Sequence, residues 1–241
     1  MDYEVLAVRY GTRRTTKSEV FLNYPVFGEP DASIEMDYFF WVIRNDERTV
    51  VIDTGFSEEA ATRRNRTMLE SPVSALARLG IAADTVSQVV VTHAHYDHIG
   101  GLPEFSAAEV IMSRREYEFW TGPMARRPLF AALTDERELD HLVSLQDSGR
   151  LRLTGSSHTV APGVEIVEVG GHTPGQLIVK VTSGESTTVL AADALHYYEE
   201  LDRDRPFAVV CDVPDMYRAF DLLRDLSSDS RTTLVAGHDP A

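Results

Sequence analysis

One seven-residue stretch holds more metal donors than a protein core tolerates. Thr92-His93-Ala94-His95-Tyr96-Asp97-His98 follows directly on the apolar run Val86 to Val91. Side chains two apart on an extended segment point the same way, so His93 and His95 can grip one ion. Asp97 and His98 lie past the strand end, where the chain turns at Gly100-Gly101, and can face a second ion. Three further donors each close an apolar stretch: His172 in Gly-Gly-His-Thr-Pro-Gly, Asp193 in Leu-Ala-Ala-Asp-Ala and His238 in Val-Ala-Gly-His-Asp. Neutral imidazole and carboxylate are ligands that divalent transition metals accept. Donors at four strand ends demand a fold that brings those ends to one edge. The set predicts two ions: His172 completes the first, His238 the second, and Asp193 bridges them. Bridged ions sit about 3.5–4 Å apart, and a water shared between them ionises near neutral pH to become a nucleophile.

The bulk properties fit that frame. The chain has 241 residues, enough for one large domain, and the expectation is a single domain over residues 1–241. No apolar run reaches the roughly 18 residues needed to span a bilayer, and Met1-Asp2-Tyr3-Glu4 opens no secretory signal. The single Cys211 excludes an internal disulfide and suits a reducing compartment, so a cytoplasmic protein is expected, with Cys211 as a small buried residue. A net charge of -15 argues against a nucleic-acid partner, whose binders carry a basic face. It also points to a neutral or weakly charged small-molecule substrate. The protein is expected to be a monomer or homodimer with no membrane partner.

Along the chain, Tyr3 to Arg9 reads as a strand, and Tyr10 to Ile34 as a long loop around Asn23-Tyr24-Pro25 and Gly28-Glu29-Pro30. Met36 to Ile43 and Thr49 to Ile52 read as strands paired around Asn45-Asp46. Helices are predicted after Ser57 and Ser71-Pro72, from Ser113 to Trp120, and after Asp135 with Leu139, Leu142 and Val143 inward. Pro214 opens another, whose Met216, Ala219, Phe220 and Leu223 fall at i, i+3, i+4, i+7. Strands are predicted at Val86 to Val91, Glu109 to Met112, Val164 to Val169, Leu177 to Thr182, Thr187 to Ala192 and Thr232 to Ala236. Groups of strands with helices between them predict two sheets packed face to face with helices outside. His141, mid-helix, is expected to be solvated.

These motifs resemble the metallo-β-lactamase superfamily over most of the chain: Ile52-Asp53-Thr54-Gly55, His93 to His98, Gly171-His172-Thr173-Pro174-Gly175, Asp193 and Gly237-His238. The resemblance implies an αββα sandwich of the α/β (α+β) class, two mixed sheets with helices on the outer faces, and metal-dependent hydrolysis. It implies that Asp53 supports the metal loop rather than binding metal. Asp193 in place of Cys is unlike the true β-lactamases, and His95 in place of Glu is unlike the flavodiiron branch.

A narrower resemblance is to the N-acyl homoserine lactonases, which quench quorum sensing. It rests on Ser113-Arg-Arg-Glu-Tyr117, Val160-Ala-Pro-Gly-Val164, Arg205-Pro206-Phe207-Ala208 and Gly237-His238-Asp239. In that family a tyrosine three residues after the bridging Asp contacts the lactone carbonyl. Here His196 stands at that place with Tyr197 next to it, and Gln176 stands where the superfamily often has a second His. The implied reaction is ring opening of a lactone ester by the bridging hydroxide. His196 or Tyr197 steadies the oxyanion, and Asp97 passes a proton to the leaving alkoxide. Substrate contacts are expected from Phe39, Trp41 and His196, with Met36, Phe40 and the Thr121 to Leu133 segment as further lining of an acyl groove. The ions are expected to be zinc, with manganese, iron or cobalt accepted by the same donors. A glyoxalase II-like thioesterase or another esterase of the same fold is the alternative enzyme, and a non-catalytic metal-binding module the alternative class.

Overall fold

A computed structural model describes residues 2–241. Twelve strands form two mixed sheets among the described residues. The first has seven, in spatial order Thr67–Met68 (β4), Glu4–Thr16 (β1), Ser33–Arg44 (β2), Thr49–Ile52 (β3), Gln88–Val90 (β5), Glu109–Ser113 (β6) and Leu151–Thr154 (β7). β2 and β3 pair antiparallel, and β3, β5, β6 and β7 run parallel. Its central strands read as unbroken Val/Ile runs because parallel strands are covered on both faces, and Val50, Val51, Ile52, Val89, Val90 and Val110 are all fully buried. The second sheet has five strands, in order Thr232–Val235 (β12), Ser186–Leu190 (β11), Leu177–Ser183 (β10), Val164–Glu168 (β9) and Ser157–Ala161 (β8). Only β11 and β12 pair parallel.

The chain divides into two compact units, one of residues 2–11 and 38–156, the other of residues 12–37 and 157–241. The first unit holds six helices: Glu58–Arg64 (α2), Pro72–Arg78 (α3), Tyr96–Ile99 (α4), Arg114–Trp120 (α5), Pro128–Ala131 (α6) and Glu136–Asp147 (α7). The second holds Lys17–Val20 (α1), Tyr198–Arg203 (α8) and Val213–Ser227 (α9). The predicted caps form: the side chains of Ser57, Ser71, Ser113 and Asp135 each accept a first-turn backbone N–H. α9 buries Met216, Ala219, Phe220 and Leu223, and packs them on Ile178, Val189 and Leu195. Met216, Phe220 and Leu223 each contribute roughly 1.5–3 kcal/mol by leaving water.

Several expectations need correction. Tyr10 to Ile34 is not a loop: β1 continues to Thr16, α1 and a 3-10 turn at Tyr24–Phe27 follow, and β2 starts at Ser33. Arg13 and Arg14 hid the strand, because their charge masks the alternation of an edge-facing segment. β4, β7 and β8 were not foreseen, and β5 is shorter than Val86 to Val91. α7 turns Glu138, Leu142 and Leu145 inward, while Val143 is exposed. His141 is half-buried rather than fully solvated: its Nε2 is buried without a hydrogen-bond partner, and burial pushes its imidazole pKa down. No helix among the described residues is long and apolar enough to cross a membrane.

Candidate metal centre

In the first unit the donors sit on the turn after β5. His93, His95, Asp97 and His98 are all buried. Asp53, at the end of β3, organises them. Its Oδ1 accepts from the backbone N of Thr92 at 2.8 Å, and its Oδ2 accepts from Thr92 Oγ1 and from His98 Nδ1, each at 2.7 Å. The proton of His98 is thereby held on Nδ1 and its lone pair on Nε2. Asp53 adopts φ +61°, a left-handed conformation that Asp tolerates better than most residues. The loop closes tightly on the segment after Asp53: Thr54 N donates to His98 O at 2.8 Å, and a Cβ on Gly101 would lie 2.4 Å from Thr54 O. Only glycine fits there.

His93 Nε2 and His95 Nδ1 lie 3.0 Å apart, and the rings of His93 and His98 are 3.9 Å apart centroid to centroid. Zinc–nitrogen bonds of about 2.0–2.1 Å place two ligands of a tetrahedral ion about 3.3 Å apart. The observed spacing is close to that. Two further buried groups frame the turn. Glu116 Oε1 accepts from Ala94 N at 2.9 Å and from Trp120 Nε1 at 2.6 Å, and Trp120 meets the His95 ring edge-on at 5.2 Å. Tyr10 donates its hydroxyl to Asp97 O at 3.0 Å; burial, with the Asp97 carboxylate adding to it, keeps that phenol pKa well above its usual value.

In the second unit the donors surround one carboxylate. Asp193 lies in the 3-10 turn Ala192–Ala194 after β11. His172 Nε2 is 3.3 Å and His196 Nε2 3.0 Å from its Oδ2, and His238 Nε2 is 3.2 Å from its Oδ1. Backbone carbonyls fix two of the rings: His172 Nδ1 donates to Val209 O at 2.8 Å, and His238 Nδ1 to Asp37 O at 2.7 Å. Asp193, His196 and His238 offer ligand atoms all within 4.8 Å of one another. A Cβ on Gly237 would lie 2.5 Å from Ala192 O, so glycine is what lets β12 deliver His238 beside Asp193.

His196 is fully buried. Burial alone pushes its imidazole pKa down, but the Asp193 and Glu200 carboxylates outweigh it and raise the value to about 9. Glu200 was not singled out in the sequence. Its Oε1 accepts from the backbone N of His196 at 2.6 Å and of Tyr197 at 2.9 Å, and its Oε2 from Phe207 N at 3.2 Å. An acid four residues after a histidine on a starting helix is the signal that was available. Glu116 entered the sequence reading only within the Ser113 to Tyr117 stretch, and its contact with Ala94 is a tertiary event that no local pattern announces.

The remaining expectations divide. Tyr197 donates its hydroxyl to Glu35 O at 3.2 Å, so of the adjacent pair it is His196 that turns toward Asp193. Of the expected substrate contacts, Trp41 is 1% exposed and His196 fully buried; Met36 and Phe40 are buried too, while Phe39 is half-buried. Part of the Thr121 to Leu133 segment lines a cavity of about 350 Å³, together with Trp120, Leu139 and Val143 but also Glu136 and Asp140.

The Metallo-beta-lactamase superfamily model matches residues 37–238. The chain belongs to the metallo-β-lactamase superfamily. It is 24% identical over 225 residues to the N-acyl homoserine lactonase of Bacillus thuringiensis, covering 87% of this chain and 84% of that protein. Among solved structures it superposes on a quorum-quenching N-acyl homoserine lactone lactonase with a TM-score of 0.82 at 22% identity, over 100% of this chain and 94% of the other. It also superposes on AidC, a dizinc quorum-quenching lactonase in complex with a product, with a TM-score of 0.79 at 20% identity, over 99% of this chain and 88% of that one. The α/β sandwich of this superfamily is therefore the fold of this chain.

Proposed function

We propose that the protein is a metal-dependent hydrolase that opens the ester ring of a lactone, with N-acyl homoserine lactones as the substrate class. The observation that carries the reading is Asp193, a buried carboxylate ringed by imidazole Nε2 atoms at 3.0–3.3 Å. A buried carboxylate met by several imidazole Nε2 atoms is a donor arrangement that suits a divalent transition metal. The superfamily and the lactonase names of the relatives supply the chemistry. The proposed ligands are His93, His95, Asp97, His98, His172, Asp193 and His238, acting within one domain, and the proposed ions are zinc. When bound, a pair of divalent ions supplies a Lewis acid for the ester carbonyl and an ionised water as nucleophile.

The chain's own residues do the rest. Asp53, Val209 O and Asp37 O hold the rings of His98, His172 and His238 with Nε2 presented. Such carboxylate and carbonyl partners fix the tautomer and raise ligand basicity. Asp97 takes a proton and passes it to the leaving alkoxide, which becomes the hydroxyl of a hydroxy acid. His196 stands where the resembled lactonases have tyrosine, with its Nε2 3.0 Å from Asp193 Oδ2. Phe39 is the aromatic of β2 with surface left for an acyl chain.

The test is a substrate panel with metal-loaded protein: acyl homoserine lactones of varied chain length, simple lactones and open-chain thioesters. Lactones are expected to turn over fastest. Faster turnover of open-chain thioesters would move the protein to the thioesterase reading, and no turnover of any ester to the non-catalytic one. His95→Ala and Asp193→Asn are each expected to lower both bound metal and hydrolysis.

A further inference from the structure

Three imidazoles approach the Asp193 carboxylate, and two of them share one construction. His172 and His238 each commit Nδ1 to a backbone carbonyl and turn Nε2 toward Asp193. His196 differs in its anchor: Glu200 Oε1 accepts from its backbone N at 2.6 Å and lies 3.4 Å from its Nδ1 without a hydrogen bond, while its Nε2 lies 3.0 Å from Asp193 Oδ2. Glu200 is itself locked by three backbone N–H groups, so its carboxylate is a fixed anchor. Phe207 stacks on the imidazole at 3.7 Å with the planes 10° apart, which fixes the tilt of the ring.

The contact with Asp193 is near but not aligned as a hydrogen bond. That distinction is informative. A hydrogen bond aims the donor along the line between the two heavy atoms. Two ligands of one ion lie about as far apart, with their lone pairs aimed at a third point. The buried Nε2 of His196 makes no aligned hydrogen bond and lies within 4.8 Å of the ligand atoms of both Asp193 and His238, a spacing that ligands of one ion share.

We infer that His196 is an eighth metal ligand, binding through Nε2 the ion held by Asp193 and His238, with Glu200 as the carboxylate that positions it. This rests on the two-ion reading above and refines it. In the resembled lactonases the side chain at this place is a tyrosine that contacts the lactone carbonyl directly. In this chain the same place would serve to hold the ion.

The experiment titrates ion-free protein with Zn(II) and Co(II) against a competing chelator and records the visible spectrum of the cobalt form. Wild type, His196→Phe and His196→Tyr are compared. Phe keeps a ring to stack on Phe207. The wild type is expected to take two ions per chain. Both variants are expected to lose at least about 10-fold in affinity at one site only, with altered cobalt d–d bands. A second measurement needs no substitution: in protein labelled with 15N-histidine, the Nε2 resonance of His196 moves to a metal-bound position on zinc addition while Nδ1 keeps its proton. Unchanged affinity and spectra in His196→Phe, or a His196 Nε2 that ignores zinc, overturns the inference. A wild type that takes fewer than two ions overturns the two-ion reading instead.

Discussion

At the scale of single residues, two buried carboxylates do different things in this chain. Asp53 anchors the metal loop by accepting from Thr92 and His98. Asp53→Asn keeps the shape and the tolerance for a left-handed backbone but removes the charge opposite His98 Nδ1. It is expected to weaken metal binding by about 10- to 100-fold while leaving the far-UV circular dichroism unchanged. Glu138, on α7, anchors nothing: its Oε2 is buried without a hydrogen-bond partner. Burial raises its pKa to about 8, with Asp135 adding to the rise and Arg64 opposing it. In the unfolded chain the same group titrates near 4.5. Between those values the folded chain holds a proton that the unfolded chain has lost, so folding stability falls as pH rises through the window. Glu138→Gln removes that loss. Thermal melts are expected to show no gain for the variant at pH 4.5 and a gain of a few degrees at pH 8; a gain independent of pH would refute this account.

At the scale of elements, helices and strands were legible to different degrees. A helix announces its start locally, through Ser57, Ser71, Ser113 or Asp135, and its inner face through spacing, as in α9. Phe220→Ala is expected to cost about 3–5 kcal/mol in chemical denaturation, because it empties the centre of that face. A strand depends on its neighbours. β1 was cut short at Arg9 and β8 went unseen because their polar residues are tolerated only by the particular strands beside them. The segment between β1 and β2 is ordered by a residue far off in the chain. Arg205 binds Glu29 at 2.8 and 3.0 Å and Glu199 at 3.1 Å, and its guanidinium lies 4.5 Å over the ring of Phe27. Lys keeps the charge but lacks the planar fork that makes the bidentate and stacked contacts. Arg205→Lys is therefore expected to speed amide hydrogen exchange selectively in residues 17–32, and uniform exchange rates across the chain would count against the role.

At the scale of the whole molecule, ions held by the proposed ligands would add to the stability of the folded state. A ligand that binds only the native form adds about 4 kcal/mol when present at 1,000 times its dissociation constant. Dialysis against a chelator is expected to abolish hydrolysis and lower the melting temperature together, and a divalent cation to restore both. Loss of activity with an unchanged melt would separate the ions from the fold. The sequence by itself determined the family, the sandwich and the pool of donors, because His93-Ala-His95-Tyr-Asp97-His98 and the two Gly-His turns need no partner to be recognised. Tertiary structure decided what each donor faces. That His98 leans on Asp53, that Tyr197 is tied to Glu35, that Trp41 is sealed in a core and that His196 presents Nε2 beside Asp193 all depend on residues brought together from distant parts of the chain. A side chain's identity is local, but the direction of its lone pair is set by the neighbour that holds its other end.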